Sequence, residues 1–133
     1  MKAMVSRIFT LGLLLLSTVS FAQESPLEVV QKQLDTYNAQ DLEGFVNVFA
    51  EDAQVFVNLG DSVASMTGRA EIKARYGAMF KANPENKSIL KGRMVEGNFV
   101  IDHEYIVGRD EPFTLIAIYE VKNGLIQRCW FAR

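Results

Sequence analysis

Residues 113–131 read FTLIAIYEVKNGLIQRCWF, two β-rich runs joined by Asn123-Gly124. Asn-Gly between such runs is the strongest short hairpin signal, because both central residues of the tight turn must take positive φ. A two-residue turn places Val121 opposite Ile126, Tyr119 opposite Arg128, and Ala117 opposite Trp130. The opposite face then carries Ile116, Ile118, Cys129 and Phe131, with Glu120 beside Gln127. Both faces of this hairpin are largely apolar, whereas a sheet covered by helices on one side normally has a polar far side. A partner for the outer face is therefore expected, and a two-fold homodimer through Tyr119, Arg128 and Trp130 is the economical one.

Working outward, residues 87–96, 99–107, 112–122 and 125–132 read as four strands, separated by Gly97-Asn98, Gly108 to Glu111, and Asn123-Gly124. A tight turn at Gly97-Asn98 pairs Arg93 with Asp102 and Lys91 with Glu104 on one face. The other face carries Leu90, Met94, Phe99, Ile101, His103 and Tyr105. Upstream the period is helical. Leu27, Val30, Leu34 and Tyr37 form a stripe over residues 26–39, opened by Pro26. Asp41 caps a second helix with Leu42, Phe45, Val46 and Phe49 on its apolar side. Ala53 to Leu59 is β-rich and ends at Gly60-Asp61, and Ser62 to Thr67 reads as a short return strand. Gly68 precedes a third helix, with Ile72, Tyr76, Met79 and Phe80, that stops before Asn83-Pro84. Helices first and a meander after predict an α+β fold with helices on one face of an antiparallel sheet.

The first 22 residues are read as an export signal. Lys2 and Arg7 begin it, an apolar run follows from Ile8 through Leu16, and Ser20 and Ala22 sit at the −3 and −1 positions of a cleavage site. The expected location is periplasmic or secreted, with no membrane attachment after cleavage. Removing 22 of 133 residues leaves 111, enough for one domain with one core. Without Lys2 and Arg7, 12 basic residues face 16 acidic ones, a net charge of −4. No Lys/Arg cluster stands out, so nucleic acid is not an expected partner. Cys129 is the only cysteine, which excludes an intramolecular disulfide. One histidine and one cysteine offer no metal-ligand spacing, so neither a metal nor another cofactor is expected.

Several stretches together resemble the NTF2-like superfamily, especially its SnoaL-like and ketosteroid-isomerase-like branches. They are residues 37–43 (YNAQDLE), 49–53 (FAEDA), 67–72 (TGRAEI), 97–104 (GNFVIDHE) and 123–126 (NGLI), followed by Trp130-Phe131. The resemblance spans residues 23–133 and implies a cone: three N-terminal helices packed in a curved antiparallel sheet around an apolar pocket, often in a homodimer. The residues expected to line that pocket are Tyr37, Phe56, Tyr76, Phe99, Ile101, Tyr105, Ile116, Ile118 and Phe131. Ketosteroid isomerases carry a catalytic Asp on the first strand, a second Asp on the penultimate strand and a Tyr on the first helix. The matching positions here hold Val57, Ile116 and Gln33, so the resemblance does not extend to steroid isomerisation.

His103 is the residue best suited to acid–base work, because an imidazole titrates near neutrality and its expected face points to the pocket. A satisfied core histidine is the competing reading. Asp102 and Glu104 point the other way on a strand and are assigned to cross-strand ion pairs. Tyr37, Tyr76 and Tyr105 are candidate donors to a ligand carbonyl, or core tyrosines with the hydroxyl at a boundary. Arg69 is a ligand contact or a structural ion pair. Three functions follow: an exported binder of a small hydrophobic molecule, a cofactor-free lyase or isomerase using His103, or a non-catalytic dimeric module.

Overall fold

The computed structural model describes residues 22–133, so the expected leader lies, apart from Ala22, outside the described residues. Helix α1 spans Pro26–Ala39. Ser25 caps it by accepting from the Glu28 N–H at 3.3 Å, and Glu28 Oε2 accepts the Ser25 N–H at 2.7 Å. These reciprocal bonds satisfy two donors that an open helix start would orphan. Asp41 Oδ1 accepts from the Gly44 N–H and caps α2, Leu42–Asn47. Strands β1 (Phe49–Phe56) and β2 (Met66–Thr67) precede helix α3 (Arg69–Ala82). Then come β3 (Lys87–Glu96), β4 (Phe99–Val107), β5 (Phe113–Lys122) and β6 (Leu125–Ala132).

The result is an α+β fold in which one curved six-stranded sheet, ordered β2-β1-β6-β5-β4-β3, holds the helices against one face. The third helix follows the first strand pair, where the order of segments in the sequence puts it, so β1 and β2 interrupt the three helices of the cone. One pairing differs from expectation: β1 pairs with β6 in parallel. Among the described residues no helix is long and apolar enough to cross a membrane. The core between helices and sheet contains Val29, Val30, Phe45, Ile72, Val100 and Ile126. Its aromatic centre packs Phe45 against Tyr76 at 4.5 Å and against Phe49 at 5.2 Å between ring centroids.

The Asn123-Gly124 turn forms with φ of 54° and 70°, and Val121 lies opposite Ile126. One residue further the expected register fails. A β-bulge at Gln127 pairs Arg128 with Glu120, Cys129 with Tyr119, Trp130 with Ile118 and Phe131 with Ala117. An extra residue in one strand reverses the facing of everything beyond it. Tyr119 is therefore buried on the helix side with Ala117 and Cys129, and it has no place in an outer interface. Ile116 and Ile118 lie on the outer face with Trp130, not beside Cys129 and Phe131.

A second bulge, at Lys91 in β3, pairs Leu90 with Glu104 and Gly92 with His103. Lys91 is thus not opposite Glu104; its ammonium sits 5.5 Å from the Tyr105 ring centroid. Arg93 does face Asp102. The two faces of β4 are the reverse of expectation. Val100, Asp102, Glu104 and Ile106 are buried toward the helices, while Phe99 and His103 are exposed on the outer surface. The outer face carries an apolar row, Met94–Ile101–Ile118–Trp130–Phe56, running across five strands.

Candidate functional site

The inner surface of β4 and β5 carries polar groups into the space beneath α1 and α3. Asn38 on α1 clamps the start of β3, accepting the Ser88 N–H at 2.8 Å and donating to the Ser88 carbonyl at 2.9 Å. That clamp aims the Ser88 hydroxyl at Glu104 Oε2, to which it donates at 2.9 Å. The Tyr119 hydroxyl, from β5, lies 3.4 Å from both Glu104 Oε1 and Gln33 Oε1. Two residues before Glu104, Asp102 is fully buried and held bidentately by Arg93, at 2.6 and 2.8 Å. Arg93 also donates to Gln31 Oε1 at 2.7 Å, which ties the pair to α1.

Among the described residues Glu104 is therefore a buried carboxyl without a cationic partner of its own. Burial pushes its pKa up to about 7; the Asp102 charge adds to the rise, and the Ser88 and Tyr119 hydrogen bonds and Arg93 oppose it. Loss of water around an ionised carboxylate is the dominant cause. The group thus changes charge in the range where general bases work best. Burial raises the Tyr76 and Tyr119 phenols well above their ordinary value, so both stay protonated. It raises the Cys129 thiol as well, which makes that side chain a small inert hydrophobe.

Glu104 opens onto a cavity of about 220 Å³. Leu34, Ile106, Leu115 and Phe131 supply apolar wall, and Ser88, Gln33, Tyr37 and Tyr119 supply hydroxyl and amide groups. The Tyr37 hydroxyl sits in a small network. It accepts from the fully buried Asn86 Nδ2 at 2.6 Å and from Arg109 Nη2 at 3.1 Å, while Arg109 Nε donates to Asn86 Oδ1 at 2.6 Å. A phenol oxygen that accepts twice keeps its own proton for a third group. Tyr37 can thus donate into the cavity.

Of the residues expected at a pocket, Tyr37, Tyr76 and Phe131 line this cavity. Phe99, Ile101, Tyr105, Ile116 and Ile118 do not, because the two bulges and the inverted facing of β4 put them on the outer surface. Phe56 is also outside, stacked on Trp130 at 5.7 Å with an 11° interplanar angle. His103, opposite Gly92 and Ile116, is exposed on that outer face and cannot reach a cavity ligand. Arg69 is structural: it donates to the Phe49 carbonyl at 2.7 Å and to Glu51 at 2.6 Å. Of the three positions that ketosteroid isomerases use, Val57 and Gln33 border the cavity and Ile116 does not.

The family model described as a SnoaL-like domain matches residues 30–129. No curated protein matches the sequence. Among solved structures, an uncharacterized cystatin-fold protein from Novosphingobium aromaticivorans is 26% identical with a TM-score of 0.76, covering 83% of this chain and 99% of its own. A proposed polyketide cyclase from Sinorhizobium meliloti is 25% identical with a TM-score of 0.67, over 77% of this chain and 92% of its own. A proposed ketosteroid isomerase from Kribbella flavida shares the fold at 21% identity and a TM-score of 0.66, over 78% and 73% of the two chains.

Proposed function

The chain belongs to the SnoaL-like domain family, and from that premise we propose that its cavity binds a small organic molecule and moves one of the ligand's protons, with Glu104 as the base. The observation that carries this reading is a cavity-wall carboxyl whose pKa is raised to about 7 by burial. A structural carboxylate gains nothing from such a position, since its ionised form is penalised there. A proton carrier gains reactivity from it. In the same cavity the Tyr37 hydroxyl, held by Asn86 and Arg109, suits a carbonyl oxygen. Ionised Glu104 takes a proton from the carbon next to that carbonyl, and Tyr37 donates a hydrogen bond to the enolate oxygen that forms. Return of the proton from Glu104 to the same carbon completes an exchange. Where a β,γ double bond of the ligand extends the enolate to a dienolate, return to the γ-carbon shifts that double bond into conjugation with the carbonyl, an isomerisation without an external cofactor. The fold's likeness to a proposed polyketide cyclase supports a carbonyl-bearing ligand. This reading keeps the cofactor-free chemistry expected from the sequence and moves its base from His103 to Glu104.

Two further parts of the proposal concern setting. The basic start, apolar run and small-residue end of residues 1–22 support an export signal and, with it, a periplasmic or secreted location. The apolar row from Met94 to Phe56 supports a homodimer through the outer sheet face, with Arg128 and Trp130 in the contact and Tyr119 outside it.

The test is proton exchange in D2O with 4-phenylbutan-2-one as probe, followed by NMR. Wild type is expected to speed deuterium entry beside the carbonyl, with a rate that rises with pH through about 7. Glu104→Gln is expected to remove the effect. Exchange unchanged in that variant would overturn the role of Glu104.

A further inference from the structure

The cavity that holds Glu104 also collects positive charge. Arg75 from α3, Arg109 from the β4–β5 connection and Arg133 after β6 all border it, and Glu104 is the one acidic side chain that does so among the described residues. None of the three arginines meets a carboxylate among the described residues. Arg109 directs Nε to Asn86 and Nη2 to Tyr37 and the Met79 sulfur, all neutral, and its Nη1 has no protein acceptor among the described residues. The Arg133 guanidinium lies 3.5 Å from the Phe113 ring centroid, a contact that leaves its N–H donors free. Arg93 shows the contrast, since its fork is filled by Asp102.

This concentration runs against the balance of the whole chain, which carries a formal net charge of −2. Three guanidinium groups bordering one cavity repel each other, and a cleft in which one sign of charge predominates focuses its field on what enters. Each guanidinium presents a planar fork that fits a carboxylate bidentately. The buried Leu34 and Ile106 and the half-buried Leu115 offer apolar wall, and the Glu104 carboxyl disfavours a second negative charge near it. We infer that the cavity's ligand is an amphiphilic organic monoanion, with its carboxylate at Arg75, Arg109 and Arg133 and its apolar body against Leu34, Ile106 and Leu115. This inference rests on the reading of the cavity as a ligand site and names the class of ligand that site selects.

The experiment is calorimetric titration of the purified protein with 3-phenylpropanoate, 3-phenylpropanamide and inorganic phosphate, at low and high salt. The carboxylate is expected to bind about tenfold or more tightly than the amide, an advantage that shrinks with added salt. Arg75→Gln and Arg133→Gln, both exposed and outside the core, are each expected to weaken the carboxylate several-fold and leave the amide unchanged. Their melting temperatures check that the fold is intact. Equal binding of acid and amide would overturn the anion and leave the cavity reading standing. Carboxylate binding unmoved by both substitutions would also overturn it. Phosphate binding as tight as that of 3-phenylpropanoate would overturn the apolar half. Failure of both acid and amide to bind would overturn the inference together with the reading beneath it.

Discussion

Glu104 separates chemical readiness from stability. Its carboxyl titrates at about 7 in the folded protein, against an ordinary value of 4.5. Between those values the folded chain holds a proton that the unfolded chain has lost, so stability falls as pH rises from about 4.5 to 7 and levels off above. The gap corresponds to roughly 3 kcal/mol. Glu104→Gln removes the titration while its carbonyl can still accept from Ser88. The variant is therefore expected to gain stability relative to wild type across that interval, by up to roughly 3 kcal/mol. Urea unfolding of both proteins at acidic and mildly alkaline pH checks this, and a constant difference would refute the buried proton. The sequence already contained the signal. Asp102 and Glu104 alternate with His103, so one face of β4 had to carry two acids and the other the imidazole. Hydrophobicity alone makes the more apolar face the inside, whereas here the cavity side is the polar one and the outer face carries the hydrophobes.

At the scale of elements, local chemistry dictates where segments begin and end. The Ser25–Glu28 capping box, the Asp41 cap, the Asn83-Pro84 stop and the Asn123-Gly124 turn all stand where their side chains require. Every helix and all four meander strands were legible for that reason. The two bulges were not, because nothing in Lys91 or Gln127 announces an extra residue. Curvature of the whole sheet, a long-range property, decides where a strand needs one. The β4–β5 connection has a similar hidden constraint. Gly108 has φ of +79°, and a Cβ there would lie 1.9 Å from the Glu85 carbonyl oxygen. That close approach brings Arg109 to Asn86 and so to Tyr37. Gly108→Ala is expected to cost roughly 1–3 kcal/mol of stability. It should also loosen the Arg109 network. Denaturant unfolding gives the first, and weaker binding of a cavity ligand by the refolded variant gives the second. A variant as stable as wild type would show that the loop yields easily.

For the whole molecule, the outer sheet face poses the remaining energetic question. Met94 is 59% exposed and Phe99 42%, and the row that includes Ile101, Ile118 and Trp130 is continuous across five strands. Each Å² of apolar surface taken from water is worth about 25 cal/mol, and a stable interface covers about 800 Å² per partner. A two-fold axis over this face would meet that need by covering the same row on both copies. Flanking charges would then form a rim, since Glu120 already binds Arg128 at 2.5 Å and Lys122 at 2.7 Å. Replacing Trp130 is a poor probe alone, because its ring stacks on Phe56 and lies 5.2 Å from the Arg128 guanidinium. Met94 is cleaner, as its exposed side chain leaves little packing to lose within one subunit. The expected outcome is a wild-type dimer in sedimentation equilibrium and a folded monomer for Met94→Glu, with the Glu104 cavity on the other face still binding its ligand. A wild-type monomer at high micromolar concentration would remove the dimer from the proposal. The cavity chemistry would survive that result, because Glu104 lies on the helix side of the sheet and Tyr37 on α1, away from the outer face.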